Sequence, residues 1–294
     1  MNRLRAVLHS RALMVVGIAV ALAVPALTLP RLPQVSLLPL LLGLLPWVVG
    51  KYVLCPLRWH ALTDAGFNRR WHLRAYAESE LLGLVTPGHV GADLWRLRRL
   101  TTGGLGRADA VTSVALDRFV GAIGLSVFVV FAGTALPLRT IAIAIGVAAL
   151  VLGALLVLRV VRPGLLPSRP LPGPRPLAHG LLLSAGYQAT TAALLLGSVA
   201  ATGHTLAPLE VLAAFGASQV AGALPGPHGA SPRDGALVVG LVALGVPWLA
   251  AAAAVAVKAA VAWLPALVLG GTSLLVTRRE LRRRVLPEPA PGVA

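Results

Sequence analysis

Charged side chains stand at points of this chain where an apolar sequence should not carry them. Asp117 and Arg118 lie inside one apolar run and Lys258 lies about ten residues into another. Asp93, Arg96, Arg233 and Asp234 follow two stretches dense in proline and glycine, PGHVGAD at 87–93 and PGPHGASPRD at 225–234. An ionised side chain at the centre of a membrane helix costs about 2.5–3.5 kcal/mol on insertion scales, so each of these needs a partner, a water-filled cavity or a purpose. The cations Arg96, Arg118, Arg233 and Lys258 have the chemistry to receive an anionic head group. Asp93, Asp117 and Asp234 would hold them when none is bound.

Each charge also has a static reading. Lys258 is too deep to reach either surface, so Asp234 is its expected partner; the pair either opens to an anionic head group or locks two parts of the chain together. Ser113, Asp117, Gly121 and Gly124 share one helical stripe, a small-residue face that lets another helix approach closely. Arg118 lies about 100° round that helix, either snorkelling to the surface or joining Arg96 on a phosphate. His89 and His228 mark the two breaks, where they could relay protons or bond freed backbone carbonyls. With no HExxH, no CxxC and a single cysteine, Cys55, no metal site and no cofactor are expected. Tyr187, Gln188, Thr190 and Thr191 form a polar patch suited to a head-group path or to bonding between helices. Glu78, four residues after Arg74, is expected to pair with it, while Glu80 has no obvious local partner.

Of the 294 residues 57% are hydrophobic and 12% charged, against about 25% charged in soluble domains. That argues against a soluble enzyme and against disorder. The net charge of +16 comes from 26 basic and 10 acidic residues; all the basic ones but Lys51 and Lys258 are arginine. They cluster in short groups between apolar runs, which is the pattern of a polytopic membrane protein and not of a nucleic-acid surface.

A span needs roughly 20 mainly apolar residues. The segments 12–29, 37–54, 109–136, 140–158, 180–201 and 248–276 qualify, giving about six full transmembrane helices. The first could instead be a secretory signal, since basic residues precede it and Ala21-Leu22-Ala23 resembles a cleavage site. Two further apolar segments, 75–84 and 206–224, end in the breaks, with apolar sequence resuming at 236–245 after the second. Pro87, Gly88, Gly91, Pro225, Gly226 and Gly229 cannot continue a helix there, so both are expected to be broken or re-entrant.

Cytoplasmic loops collect Lys and Arg. If the two broken segments enter and leave from opposite faces, twenty arginines fall inside, only Arg31 and Arg139 fall outside, and Arg118 and Arg233 remain within apolar or broken segments. The expected product is an all-α integral membrane domain over 1–278, with approximate halves 37–158 and 159–278 in inverted orientation. A basic, then Pro-rich, cytoplasmic tail follows over 279–294. Both termini are expected in the cytoplasm and the protein in the plasma membrane. Inverted repeats with discontinuous helices meeting near the midplane place a substrate site at the breaks.

The order Arg58-Trp59, Tyr76, Ser79, Thr86-Pro87-Gly88, Gly91, Asp93, Arg96, Ser113, Asp117-Arg118, then Pro225, Gly229, Arg233-Asp234, Gly245, Pro265 and Gly270 resembles the lysylphosphatidylglycerol synthase transmembrane-region family of flippase-like proteins. The resemblance covers about 12–276. It implies an integral membrane protein that handles or translocates an anionic phospholipid or a polyprenyl-linked lipid between leaflets. Fused members carry a soluble aminoacyl-transferase domain, which is not expected in these residues, so lysyl transfer is not expected either. The family usually has glutamate where this chain has Asp234, and often arginine where it has Lys258, which keeps the charge but loses the bidentate fork. Two alternatives accompany the carrier reading. One is an intramembrane lipid-head-group transferase using His89, Asp93 or His228 as acid-base groups. The other is a membrane partner subunit that binds a glycosyltransferase or synthase through its arginine-rich loops.

Overall fold

A computed structural model of the chain describes residues 35–63, 65–84, 86, 90–131, 169–221 and 232–285. The expected spans 12–29 and 140–158 lie outside the described residues. All regular structure among the described residues is helical. Among the described residues three helices are long and apolar enough to cross a membrane: Leu37–Leu62, Pro174–Ala201 and Trp248–Glu280.

The first is compound. Helix α1 (Leu37–Val49) runs into a wide turn, Gly50–Leu54, and then α2 (Cys55–Leu62). The Cys55 N–H donates to the Gly50 carbonyl, five residues back. Pro56 has no N–H to close the tighter α-helical register, so a widened turn just ahead of it keeps the backbone bonded. Trp248–Glu280 is built alike: α9 (Trp248–Pro265), a wide turn Ala266–Gly270, and α10 (Gly271–Val285).

Between them lie α3 (Arg69–Leu84), α4 (Val90–Thr102), α5 (Arg107–Phe131), α6 (Pro174–Ala201), α7 (Pro208–Ala221) and α8 (Pro232–Ala243). The order long, short, short, long therefore occurs twice. It runs through 26, 16, 13 and 25 residues from Leu37 to Phe131, then 28, 14, 12 and 33 from Pro174 to Glu280. The short helices pack as pairs, α3 on α4 and α7 on α8.

The two series share details finer than length. Helix α4 ends at Gly104 (φ 97°) with the Leu105 N–H on the Leu100 carbonyl at 3.1 Å; α8 ends at Gly245 (φ 90°) with the Val246 N–H on the Leu241 carbonyl at 3.1 Å. This left-handed glycine terminus is one that L side chains adopt at a cost. In one core Leu100, Leu105, Ala110 and Val114 are buried; in another Leu241, Val246, Ala251 and Val255 are buried, every pair at one constant separation along the chain. Ala75, Tyr76 and Ser79 of α3 correspond similarly to Ala214, Phe215 and Ser218 of α7, and each serine hydroxyl donates to the carbonyl three residues back, Tyr76 or Phe215.

Helix α6 is central, packing against α1, α2, α5, α7 and α9. It runs antiparallel to α1–α2: the Ser36 N–H donates to the Ala201 carbonyl at one end, and Gly180 lies against Leu62 at the other. Glycines set the approach. A Cβ on Gly43 would stand 2.6 Å from the Ala193 carbonyl oxygen, and one on Gly197 would collide with the Pro39 carbonyl oxygen. Away from this contact α1 turns Leu37, Leu38, Leu41, Leu42 and Leu45 outward, each 47–69% exposed. So large an apolar face needs a non-aqueous covering.

Candidate functional site

Asp117 of α5 is at the centre of a buried charge network. It is 0% exposed and bonds two guanidinium groups, Arg58 Nε to Oδ1 at 2.7 Å and Arg96 Nη1 to Oδ2 at 3.1 Å. Arg96, on α4, also donates from Nε to the Ser79 hydroxyl at 3.1 Å and from Nη2 to Glu80 Oε1 at 3.3 Å. Its guanidinium lies 4.0 Å from the centre of the Tyr76 ring, so its faces as well as its edges are occupied. Lys51, on the wide turn after α1, reaches Glu80 Oε2 at 2.9 Å and stands over the Tyr76 and Tyr187 rings. Arg58 also donates to the Ser184 hydroxyl of α6 at 3.3 Å. The network thus joins α1–α2, α3, α4, α5 and α6.

The small-residue stripe expected on α5 is what makes room for it. A Cβ on Gly121 would sit 3.1 Å from Arg58 Nη1, and one on Gly124 would collide with the Ser184 hydroxyl. Ser113, on the same stripe, accepts from Trp59 Nε1 at 3.0 Å and lies 2.6 Å from the Thr63 hydroxyl. Ionised groups so paired and hydrogen-bonded offset their own desolvation.

Glu78 forms a second buried cluster and does not pair with Arg74. It accepts from Trp95 Nε1 at 2.9 Å and from the Thr277 hydroxyl at 2.6 Å, and Arg99 Nε lies 3.2 Å away as an ion pair. Arg74 turns instead to Glu280, at 2.8 Å. Helix α10 returns beside α3 and supplies partners that sequence proximity does not reveal. The result fastens α3 and α4 to the end of α10.

The other charges singled out in the sequence make smaller contacts. Asp93 Oδ1 accepts from Arg118 Nη2 at 2.9 Å, in a contact open to the surroundings on both sides. Lys258 Nζ lies 3.8 Å from Asp234 Oδ1, and Arg233 Nη1 donates to Gln219 Oε1 at 3.2 Å. Each aspartate singled out in the sequence therefore meets a cation. Arg96 and Arg118 do not converge: the first is enclosed by Asp117 and Glu80, the second faces outward on Asp93.

In the polar patch of α6, the Thr190 and Thr191 hydroxyls donate to the Tyr187 carbonyl, within their own helix, and Gln188 is buried. The Gly91 N–H donates to the Thr86 hydroxyl at 2.9 Å, and a Cβ on Gly91 would stand 2.6 Å from that oxygen. His89, His228, Pro87, Gly88, Pro225, Gly226 and Gly229 lie outside the described residues. Among the described residues no group of three or more His, Cys, Asp or Glu side chains is placed to hold a metal ion.

Sequence reasoning missed Lys51 and Arg58 as interior charges. Arg58 counts with a cytoplasmic connection in the arginine tally, yet it is 6% exposed and belongs to α2; Arg96, counted likewise, is 1% exposed. The available signals were an isolated lysine within a leucine-rich run and a Glu80 with no basic neighbour on its own helix.

His72, in the first turn of α3 and outside the three long apolar helices, is fully enclosed by aromatic rings, with Trp59 at 4.9 Å and Trp71 at 5.0 Å. Burial lowers its pKa to about 4. The folded chain keeps it neutral down to that pH, whereas the unfolded chain protonates it near 6.5. Stability in detergent is therefore expected to be full above about pH 6.5 and to fall as the pH drops toward 4, by about 3 kcal/mol at most. Melting followed by tryptophan fluorescence checks this, and in His72→Phe the slope over that interval should flatten.

Comparisons of this chain with family profiles, with curated proteins and with solved structures find no match.

Proposed function

We propose that this chain is a flippase-like carrier of the plasma membrane that moves an anionic phospholipid or a polyprenyl-linked lipid between leaflets. The observation that carries the reading is the placement of charge. Arg96, Asp117, Asp234 and Lys258 are enclosed among helices whose outer faces are apolar, beside the points where the short helices pair. Charge held at such depth marks an ion or substrate path more often than a fold requirement.

The repeated element order supports two halves, and the antiparallel packing of α6 on α1–α2 supports one being inverted relative to the other. On this reading α3–α4 and α7–α8 are re-entrant pairs entering from opposite faces. Together with the spans expected from the sequence at 12–29 and 140–158, this reading gives about six full crossings, with both termini cytoplasmic. A head group enters between the pairs and exchanges with a carboxylate for its cation, while the acyl or prenyl chains stay in lipid. Rocking of one half against the other then alternates access.

Reconstitution into liposomes containing fluorescent phosphatidylglycerol or a labelled polyprenyl phosphate tests this directly. Leaflet exchange should be faster than in protein-free vesicles and absent for a neutral diacylglycerol. No acceleration for any anionic lipid removes the proposal.

A further inference from the structure

The buried network around Asp117 does not balance in charge, and we infer from the imbalance where an anion binds. Lys51 is the open edge of a site for one negative charge, either the phosphate diester of a lipid head group or a free monovalent anion. Only the lipid source rests on the carrier reading.

Two carboxylates, Glu80 and Asp117, are shared by three cations, Lys51, Arg58 and Arg96. The other described carboxylates are engaged elsewhere. Asp93 is taken by Arg118 and Glu78 by Arg99, and Asp234 lies against Lys258. Glu280 is held by Arg74, Asp109 accepts from the Arg169 N–H, and Glu210 accepts from the Ala207 N–H. Asp64 and Glu288 lie outside the described residues. Among the described residues the network therefore keeps one positive charge that no carboxylate cancels. Such a charge is costly in a low-dielectric interior, and a bound monoanion removes the cost.

Lys51 is the member with donors to spare. Arg96 commits Nε to Ser79, Nη1 to Asp117 and Nη2 to Glu80, and its face lies on Tyr76. Arg58 commits Nε to Asp117 and Nη1 to Ser184. The Lys51 ammonium carries three N–H donors and has, among the described residues, one polar partner, Glu80 Oε2 at 2.9 Å. Its side chain is 15% exposed, against 7% for Arg58 and 1% for Arg96. Approach to the network is therefore at Lys51. The Tyr76 and Tyr187 rings stand with their centres 5.9 and 5.6 Å from Nζ, near the outer limit of a cation–π contact.

The fold sets this edge deep along the first long helix. Lys51 is 14 residues from Leu37 and 11 from Leu62, about 21 and 17 Å along the axis, too far to snorkel to either end. It belongs to the wide turn Gly50–Leu54, a kind of turn frequent at functional sites. Gly50 lets α6 come close, since a Cβ there would collide with the Thr190 hydroxyl. That approach brings Tyr187, one turn before Thr190, against Lys51.

Thermal melting of the purified full-length chain in detergent, in a buffer free of chloride and phosphate, tests the site. The probes are dioctanoyl phosphatidylglycerol, dioctanoyl phosphatidylcholine and sodium chloride. Phosphatidylglycerol should raise the midpoint saturably, as a ligand of the folded state does. Phosphatidylcholine, whose ammonium cancels its phosphate, should need at least about tenfold more. In Lys51→Met the half-saturating phosphatidylglycerol concentration should rise about 10- to 100-fold, the loss of a charged hydrogen bond; in Lys51→Arg and Arg74→Gln it should stay near wild type. Without ligand Lys51→Met should melt no lower than wild type, because two cations then face two carboxylates. A static ion pair predicts the reverse, a midpoint lower by about 6 °C or more. That fall, or an unchanged phosphatidylglycerol response in Lys51→Met, overturns the site. Saturation by phosphatidylglycerol at a lower concentration than by chloride assigns a head group, and the reverse assigns the free ion. Liposomes without translocation, while the melting responses hold, remove the carrier and leave the site. Translocation of phosphatidylglycerol with no melting response to either anion removes the site and leaves the carrier.

Discussion

Asp117→Ala should cost the folded chain about 3–5 kcal/mol, the range for removing one member of a buried ion network. The carboxylate is 0% exposed and divides its two oxygens between Arg58 and Arg96. Its loss leaves two guanidinium groups in a low-dielectric interior with Glu80 as the one carboxylate of the network. Asp117→Asn keeps the volume and one acceptor oxygen and should recover part of the loss. The contrast is with Asp93→Ala, which removes the partner of Arg118 at a half-exposed contact and should cost no more than about 1 kcal/mol, as surface pairs do. Thermal or denaturant unfolding of the three variants in detergent, followed by tryptophan fluorescence, measures the differences. Equal losses for Asp117→Ala and Asp93→Ala would show that the network at Asp117 is bathed in water and not enclosed.

That network also shows how far a sequence can be read. Hydropathy and the first proline-glycine break were enough to locate the long helices among the described residues and the end of α3, because both signals are local. The end of the first long helix was not legible: hydropathy falls after Leu54, yet α2 continues to Leu62 because Arg58 and Trp59 face protein and not lipid. Hydropathy registers polarity and not what a side chain faces. Charge partners follow the same division. Asp234 and Lys258 could be matched by depth, since few charges share that depth. Arg58 and Asp117, 59 positions apart, could not, and the Thr277 that binds Glu78 is 199 positions away. The i, i+4 rule paired Glu78 with Arg74 because it sees one helix at a time. The returning α10 offered a hydroxyl partner and α4 the Trp95 indole inside the protein, and the carboxylate took those.

Gly43→Leu and Gly197→Leu should be the most damaging changes that leave every charge intact. At Gly43 a bare Cβ already meets backbone, the Ala193 carbonyl oxygen at 2.6 Å and the Leu194 Cα at 3.0 Å; at Gly197 it meets the Pro39 carbonyl oxygen and the Gly43 Cα at 3.1 Å. Backbone cannot rotate aside as a flexible side chain can, so α1 and α6 must separate. Separation opens the core in which Leu40, Trp47 and Leu194 are buried with Val257 and Val261 of α9. Overpacking of a well-packed core costs about 1–3 kcal/mol, and the upper end or beyond is expected here because the contact runs the length of the central helix. Gly271→Ala is the matched control: it also lies in a helix, its Cβ would meet nothing within 4 Å, and alanine should stabilise it by about 0.5–1 kcal/mol. Gly43→Ala falls between, one methyl group against a carbonyl. Unfolding midpoints ordered Gly271→Ala, wild type, Gly43→Ala, Gly43→Leu from highest to lowest carry the argument. Midpoints for Gly43→Leu and Gly197→Leu at the wild-type value would mean that α1 and α6 do not meet through these glycines, and the antiparallel contact on which the two-half reading leans would go with them.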